Sequence, residues 1–118
     1  MSYIDGYVVP VPTTNKQAYR DMAAKAAQVF KECGALRVVE CWGNDVPKGK
    51  VTDFQGAVKA EANETVVFSW VEWPSKQVRD VGMKKAMEDP RMNMSANDVF
   101  DGKRMIFGGF EPLLDTNR

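Results

Sequence analysis

The order in which this chain switches between two-residue and helical periodicity constrains its fold more than any other feature. Residues 3–11 alternate and run into Pro10-Val11-Pro12, whose missing donors predict the end of a first strand. Thr13, Thr14 and Asn15 then offer helix caps, and Tyr19, Met22, Ala23, Ala26, Val29, Phe30 and Cys33 recur at helical spacing until Gly34. Residues 35–42 alternate again, and Gly43-Asn44-Asp45 with Pro47 and Gly49 breaks that second strand. Residues 50–64 fit either a short helix over residues 53–60, capped by Thr52 or Asp53, or an extension of strand. Residues 65–73 are rich in Val, Phe and Trp and stop at Pro74, giving a third strand. Ser75 caps a second long helix, whose inward side uses Val78, Val81, Gly82 and Ala86 and which Asp89-Pro90 closes. A polar, methionine-bearing loop covers residues 92–102, and residues 103–114 supply a fourth strand before a short tail. The order β-α-β-β-α-β predicts an α+β, ferredoxin-like domain over residues 1–118, an antiparallel sheet with both long helices on one face.

Within the strands, chemistry also alternates. Tyr3, Asp5 and Tyr7, then Val38, Glu40 and Trp42, then Phe68, Trp70 and Glu72, then Met105, Phe107, Gly109 and Glu111 form one set of alternating positions, acidic and aromatic. Ile4, Gly6, Val8, Val39, Cys41, Val67, Ser69, Val71, Ile106, Gly108 and Phe110 form the other. The second set reads as the face that receives the helices. The first reads as a face its own chain leaves uncovered, which a second copy would close by stacking sheet on sheet.

Composition removes several classes of function. Lys and Arg number 16 and so do Asp and Glu, so no net field draws in phosphate backbones, and nucleic acid is disfavoured as a partner. No run approaches the roughly 20 apolar residues that cross a bilayer, and the N-terminus lacks a leader pattern, so no membrane association and a cytoplasmic location are expected. Two cysteines outside any CxxC read as structural thiols. The absence of histidine excludes Ser-His-Asp and Cys-His catalysis and His-ligated metals or haem. No metal or other cofactor is expected.

The blocks Tyr3-Ile4-Asp5-Gly6-Tyr7-Val8-Val9-Pro10-Val11-Pro12, Arg37-Val38-Val39-Glu40-Cys41-Trp42-Gly43 and Val67-Phe68-Ser69-Trp70-Val71-Glu72-Trp73-Pro74 strongly resemble the YbaA-like family of small bacterial proteins. Arg79-Asp80 and the run from Phe100-Asp101-Gly102 through Gly108-Gly109-Phe110 extend the resemblance over nearly the whole chain. It implies a member of the dimeric α/β-barrel superfamily in a family without an established function. That superfamily includes cofactor-independent quinol and antibiotic monooxygenases, haem-degrading enzymes and stand-alone ligand-binding domains. The resemblance supplies no catalytic residues.

The candidate ligand-binding residues therefore come from the acidic and aromatic set: Asp5, Tyr7, Glu40, Trp42, Trp70 and Glu72, with Arg37, Arg79 and Arg104 as counter-charges. In one reading the acids pair with arginines and tryptophan N–H groups across a homodimer and set its register. In another, the aromatic rings and a carboxylate hold a small molecule between the sheets, and a carboxylate raised in pKa serves as base in cofactor-independent oxygenase or isomerase chemistry. RNA stacking on Phe68, Trp70, Tyr3 and Tyr7, or a protein-interaction role for the methionine loop, are further alternatives.

Overall fold

The computed structural model describes residues 2–92 and 98–117. Part of the expected methionine-bearing loop, residues 93–97, lies outside them. Strands β1 (Tyr3–Pro12), β2 (Arg37–Trp42), β3 (Glu64–Trp73) and β4 (Ile106–Phe110) form one antiparallel sheet in the order β2-β3-β1-β4. Helix α1 (Lys16–Glu32) joins β1 to β2, and α3 (Lys76–Glu88) follows β3, which is the expected ferredoxin-like topology. The short helix α2 (Phe54–Ala57) settles the reading of residues 50–64, and the Asp53 carboxylate caps it by accepting from the Gly56 N–H at 2.6 Å. Ser75 caps α3 as expected, accepting from the Val78 N–H at 3.1 Å. Asn15 precedes α1 without capping it and instead donates from Nδ2 to the Val99 carbonyl at 2.9 Å.

Strand β1 does not stop at its prolines, and the hydrogen-bond pattern explains why. Alternate residues of a central strand point their N–H groups at opposite neighbours. In the β1/β3 register Thr13 lies opposite Asn63 and donates to its carbonyl at 2.9 Å, so the odd-numbered residues of β1 bond to β3. Pro10 and Pro12 have the other parity, and their missing donors fall on the β4 side, where β4 has already ended opposite Val8. The fourth strand is shorter than expected, because a tight turn at Gly102–Arg104, held by Asp101 accepting from the Lys103 N–H, delays its start.

The core lies between the sheet and the long helices in two clusters. Val29, Phe30, Ala35, Val71, Trp73 and Ala86 form one; Val9, Val11, Tyr19, Ala23 and Val67 form the other. Trp73 is fully buried, with Phe30 edge-on to it at 6.3 Å. Gly82 lets α3 settle on that indole, since a Cβ there would stand 2.6 Å from the Trp73 ring and 2.5 Å from the Cys33 carbonyl oxygen. This close seat explains why Gly82 and Ala86 are buried while Val78 and Val81, expected inward, are exposed.

The two faces of the sheet correct the sequence reading. Asp5 lies opposite Val71, Tyr7 opposite Ser69, and Ser69 opposite Glu40, so Tyr3, Asp5, Tyr7, Val38, Glu40 and Trp42 share the helix-facing side with Val67, Ser69, Val71 and Trp73. Phe68, Trp70 and Glu72 lie on the opposite, open side with Ile4, Gly6, Val8, Val39 and Cys41. The acidic and aromatic face is thus not the uncovered one. Alternation fixes faces within a strand but says nothing of their phase between strands, which pairing register decides.

Asp5 is 3% exposed and can face the core because its charge is matched there. Its carboxylate accepts from the Arg79 Nε and Nη2 and from the Trp73 Nε1, at 2.8–3.2 Å. Asp5→Ala leaves the Trp73 N–H unmatched and Arg79 with only Asp80 as partner, and is expected to lower unfolding free energy by about 2–4 kcal/mol, discounted because Arg79 is one-quarter exposed. Asp5→Asn, which keeps an acceptor, should lose less; urea denaturation of the two variants checks the order.

Candidate functional site

Between the helix-facing side of the sheet and helices α1 and α3 lies a chamber of about 460 Å³. Its wall is mostly apolar. Val9 and Val71 come from the sheet, Phe30 and Ala26 from α1, and Phe100 and Phe107 from the C-terminal part. Met22, Met83, Met87, Met92 and Met105 add flexible thioethers, which shape themselves to a guest and favour aromatic rings. The residues in the wall with polar side chains are Asp5, Tyr7, Tyr19, Glu40, Ser69 and Arg79.

Not all of these are available to a guest. Asp5 and Arg79 satisfy one another, with Trp73 taking part, and Arg79 also pairs with Asp80 and sits 5.1 Å from the Tyr3 ring centre. The Tyr19 hydroxyl donates to Glu40 Oε1 at 2.7 Å. The Tyr7 hydroxyl has no hydrogen-bond partner among the described residues, and its ring stacks against Phe107 at 6.2 Å. Burial, with help from Asp5, pushes Tyr7 up to about 12, so it stays a donor throughout the physiological range. Tyr7 and Glu40 are therefore the groups with polar capacity to spare.

Glu40 stands where the chamber meets a second concavity, between α1 and β2, so water still reaches the residue. The surrounding protein nonetheless displaces much of its hydration, which raises its carboxyl above the ordinary 4.5; hydrogen bonds from Tyr19 and Ser69 pull it part of the way back. A carboxylate raised in this manner is a stronger proton acceptor than a free one. No group of three or more metal-ligating side chains occurs among the described residues.

Of the six candidate residues, Asp5, Tyr7 and Glu40 line this chamber, and Trp42 lines the neighbouring groove beside Glu40. Trp70 and Glu72 lie on the open side of the sheet, bonded to each other at 2.9 Å, with Arg37 3.6 Å from Glu72. The third suggested counter-charge, Arg104, is committed elsewhere, to Glu64 and Asp101. Tyr3 and Tyr7 are likewise separated from Phe68 and Trp70, so the four aromatics do not form one stacking platform. The sequence reading missed Tyr19, whose polar role was hidden by its place in the apolar stripe of α1. It also missed the methionine wall, whose members come from separate segments.

Because Tyr19 donates to the charged form of Glu40, Tyr19→Phe is expected to move the Glu40 midpoint further upward. A carboxyl-resolved NMR titration should find the native midpoint above 4.5 and the variant's higher still.

Comparison with known proteins places this geometry in a family. Residues 2–102 match the family described as protein of unknown function (DUF1428). The uncharacterized protein YbaA of Escherichia coli K12 is 65% identical over 116 residues, covering 98% of this chain and 99% of that protein, and its Shigella flexneri counterpart matches equally. Among solved structures, SnoaB, a cofactor-independent oxygenase from Streptomyces nogalater, aligns with a TM-score of 0.63 and 12% identity over 99% of this chain and 98% of that one. Rv0793 from Mycobacterium tuberculosis aligns with a TM-score of 0.54 and 11% identity over 98% and 99%. At such identities the likeness concerns the ferredoxin-like fold, whereas the match along the sequence itself is close and nearly complete: the chain belongs to the DUF1428 family, alongside YbaA.

Proposed function

We propose that this protein binds a small, ring-bearing molecule with an ionisable hydroxyl in the chamber between its sheet and helices. One observation carries the reading. A largely apolar, methionine-lined space of about 460 Å³, within the roughly 300–1,000 Å³ of ordinary ligand pockets, converges on two polar groups with capacity to spare, Glu40 and Tyr7. Glu40 accepts the guest's hydroxyl proton as a hydrogen bond, and Tyr7 donates to an oxygen of the guest. The sequence reading set the pocket between the sheets of two copies; this chamber is bounded by one chain.

Isothermal titration with 1-naphthol tests the proposal. One molecule per chain is expected, with binding about tenfold weaker in Glu40→Gln, since a hydrogen bond to a charged group contributes roughly 1.5–3 kcal/mol. Failure to bind at millimolar concentration, or equal binding by Glu40→Gln and Tyr7→Phe, would overturn it.

A second reading adds chemistry, supported by the raised Glu40 and by the fold shared with a cofactor-independent oxygenase. Glu40 takes a hydroxyl proton from a 1,4-dihydroxy ring, which itself supplies all the electrons that reduce dioxygen: one oxygen atom enters the ring as a new hydroxyl, the two original hydroxyls become quinone carbonyls, and their hydrogens leave with the other oxygen atom as water. Oxygen uptake with 1,4-dihydroxynaphthalene, above the buffer rate and lost in Glu40→Gln, is the expected outcome. Stoichiometric binding without uptake would leave a carrier or sensor.

The assembly proposed with this function is a homodimer closed through the open side of the sheet. Phe68 and Ile106 are each 45% exposed there and Phe110 61%, an apolar patch that water covers poorly. The resemblance to a dimeric superfamily points the same way, and a cytoplasmic location remains part of the proposal. Phe68→Glu sets a carboxylate into that contact and should weaken dimerisation by at least about 100-fold, given the roughly several kcal/mol cost of burying an unpaired charge. Sedimentation should show this while 1-naphthol binding persists.

A further inference from the structure

A second cavity, of about 720 Å³, opens between α1 and β2, separated from the chamber by the Tyr19–Glu40 hydrogen bond that belongs to both walls. We propose that this groove is a distinct binding site for an aromatic carboxylate. Two kinds of donor that find acceptors elsewhere in the chain stand unmatched in this groove. Among the described arginines, Arg37, Arg79, Arg91 and Arg104 each face a carboxylate, and Arg20, in the groove, faces none. The tryptophans divide in the same way. Trp70 and Trp73 donate their ring N–H groups to Glu72 and Asp5, while the Trp42 N–H has no acceptor among the described residues. Lys16, one turn from Arg20, has no ion pair among them either and lies 5.6 Å from the Trp42 ring centre.

An unmatched guanidinium and an unmatched indole N–H in one groove with Lys16 fit an anion. Lys16 and Arg20 stand on the first turns of a 17-residue helix, where the backbone dipole adds to their field. The guanidinium fork matches a planar carboxylate in two parallel hydrogen bonds. The rest of the groove is shaped for a flat apolar body, with the Trp42 ring and Val67 on the strand side and Ala23, Ala24 and Ala27 on the helix side. Glu40 is the one carboxylate in this lining, at the wall shared with the chamber, and it repels a second negative charge. The ligand is thereby oriented with its acid toward Lys16 and Arg20 and its ring along Trp42.

Titration of the protein with 2-naphthoate, followed through the assigned Trp42 indole N–H resonance, tests the site; Trp42→Phe confirms the assignment. Saturable movement of that resonance is expected. Affinity should fall about tenfold in Arg20→Gln, and by a similar factor for 2-naphthalenemethanol, which keeps the ring and lacks the charge. Arg20→Lys, with charge but no fork, should fall between. Equal affinity for the neutral alcohol, an unchanged affinity in an Arg20→Gln protein of native melting temperature, or shifts confined to Phe107 and Met83 of the chamber would overturn the proposal. So would equally effective displacement by inorganic phosphate at matched ionic strength, which would reveal general anion attraction. Because 1-naphthol binding to the chamber should survive Arg20→Gln, failure here is distinguishable from failure of the chamber reading.

Discussion

The buried carboxylate of Asp5 is the point on which the architecture turns. It sits mid-sheet on β1, facing the helices, and is held by one donor from β3 and a guanidinium from α3. A carboxylate at that depth is tolerated only when its charge is answered and its lone pairs are occupied. By answering it, Arg79 fixes where α3 lies along the sheet, and Gly82, one turn further on, allows the close seat on Trp73. The same pair removes Asp5 and Arg79 from the chemistry of the chamber. What remains there is a largely apolar space with its polar capacity at Tyr7 and at Glu40, beside Tyr19.

Much of this was legible in the residues. Element order, the caps at Ser75 and Asp53, the end of α1 and the ferredoxin-like topology all follow from local patterns, because capping and periodicity act over a few residues. The phase between strands is not local. Phe68, Trp70 and Glu72 look like Asp5, Tyr7 and Glu40 in chemistry, yet pairing places Ser69 and Val71 beside the latter. Matching chemistry alone therefore joins two opposite faces into one candidate site. Volume and charge pairing favour the observed phase: Val67, Val71 and Trp73 fill the space beneath the helices, and the Trp73 N–H makes burial of Asp5 feasible.

The observed division leaves the two sides of the sheet with different chemistry. The side toward the helices borders an open cavity, where the proposed ligand contacts at Glu40 and Tyr7 lie. The open side carries large apolar groups with few polar obligations, Trp70 and Glu72 having satisfied each other. Under the proposed function, assembly and ligand recognition would thus draw on separate residue sets. Substitutions in one set can be read without first correcting for the other.

The prolines of β1 have a consequence beyond the strand itself. Past Val8 the sheet narrows, and the turn at Gly102–Arg104 lies against β1, whose positions 10 and 12 hold no N–H group on that side. Irregular backbone can seat there because β1 offers no ladder donor on that side to be left unanswered. The same two residues that seemed to forbid a strand therefore let a long, valine-rich central strand run on past the end of its neighbour, with Pro10 fully buried and no amide left unpaired at either position.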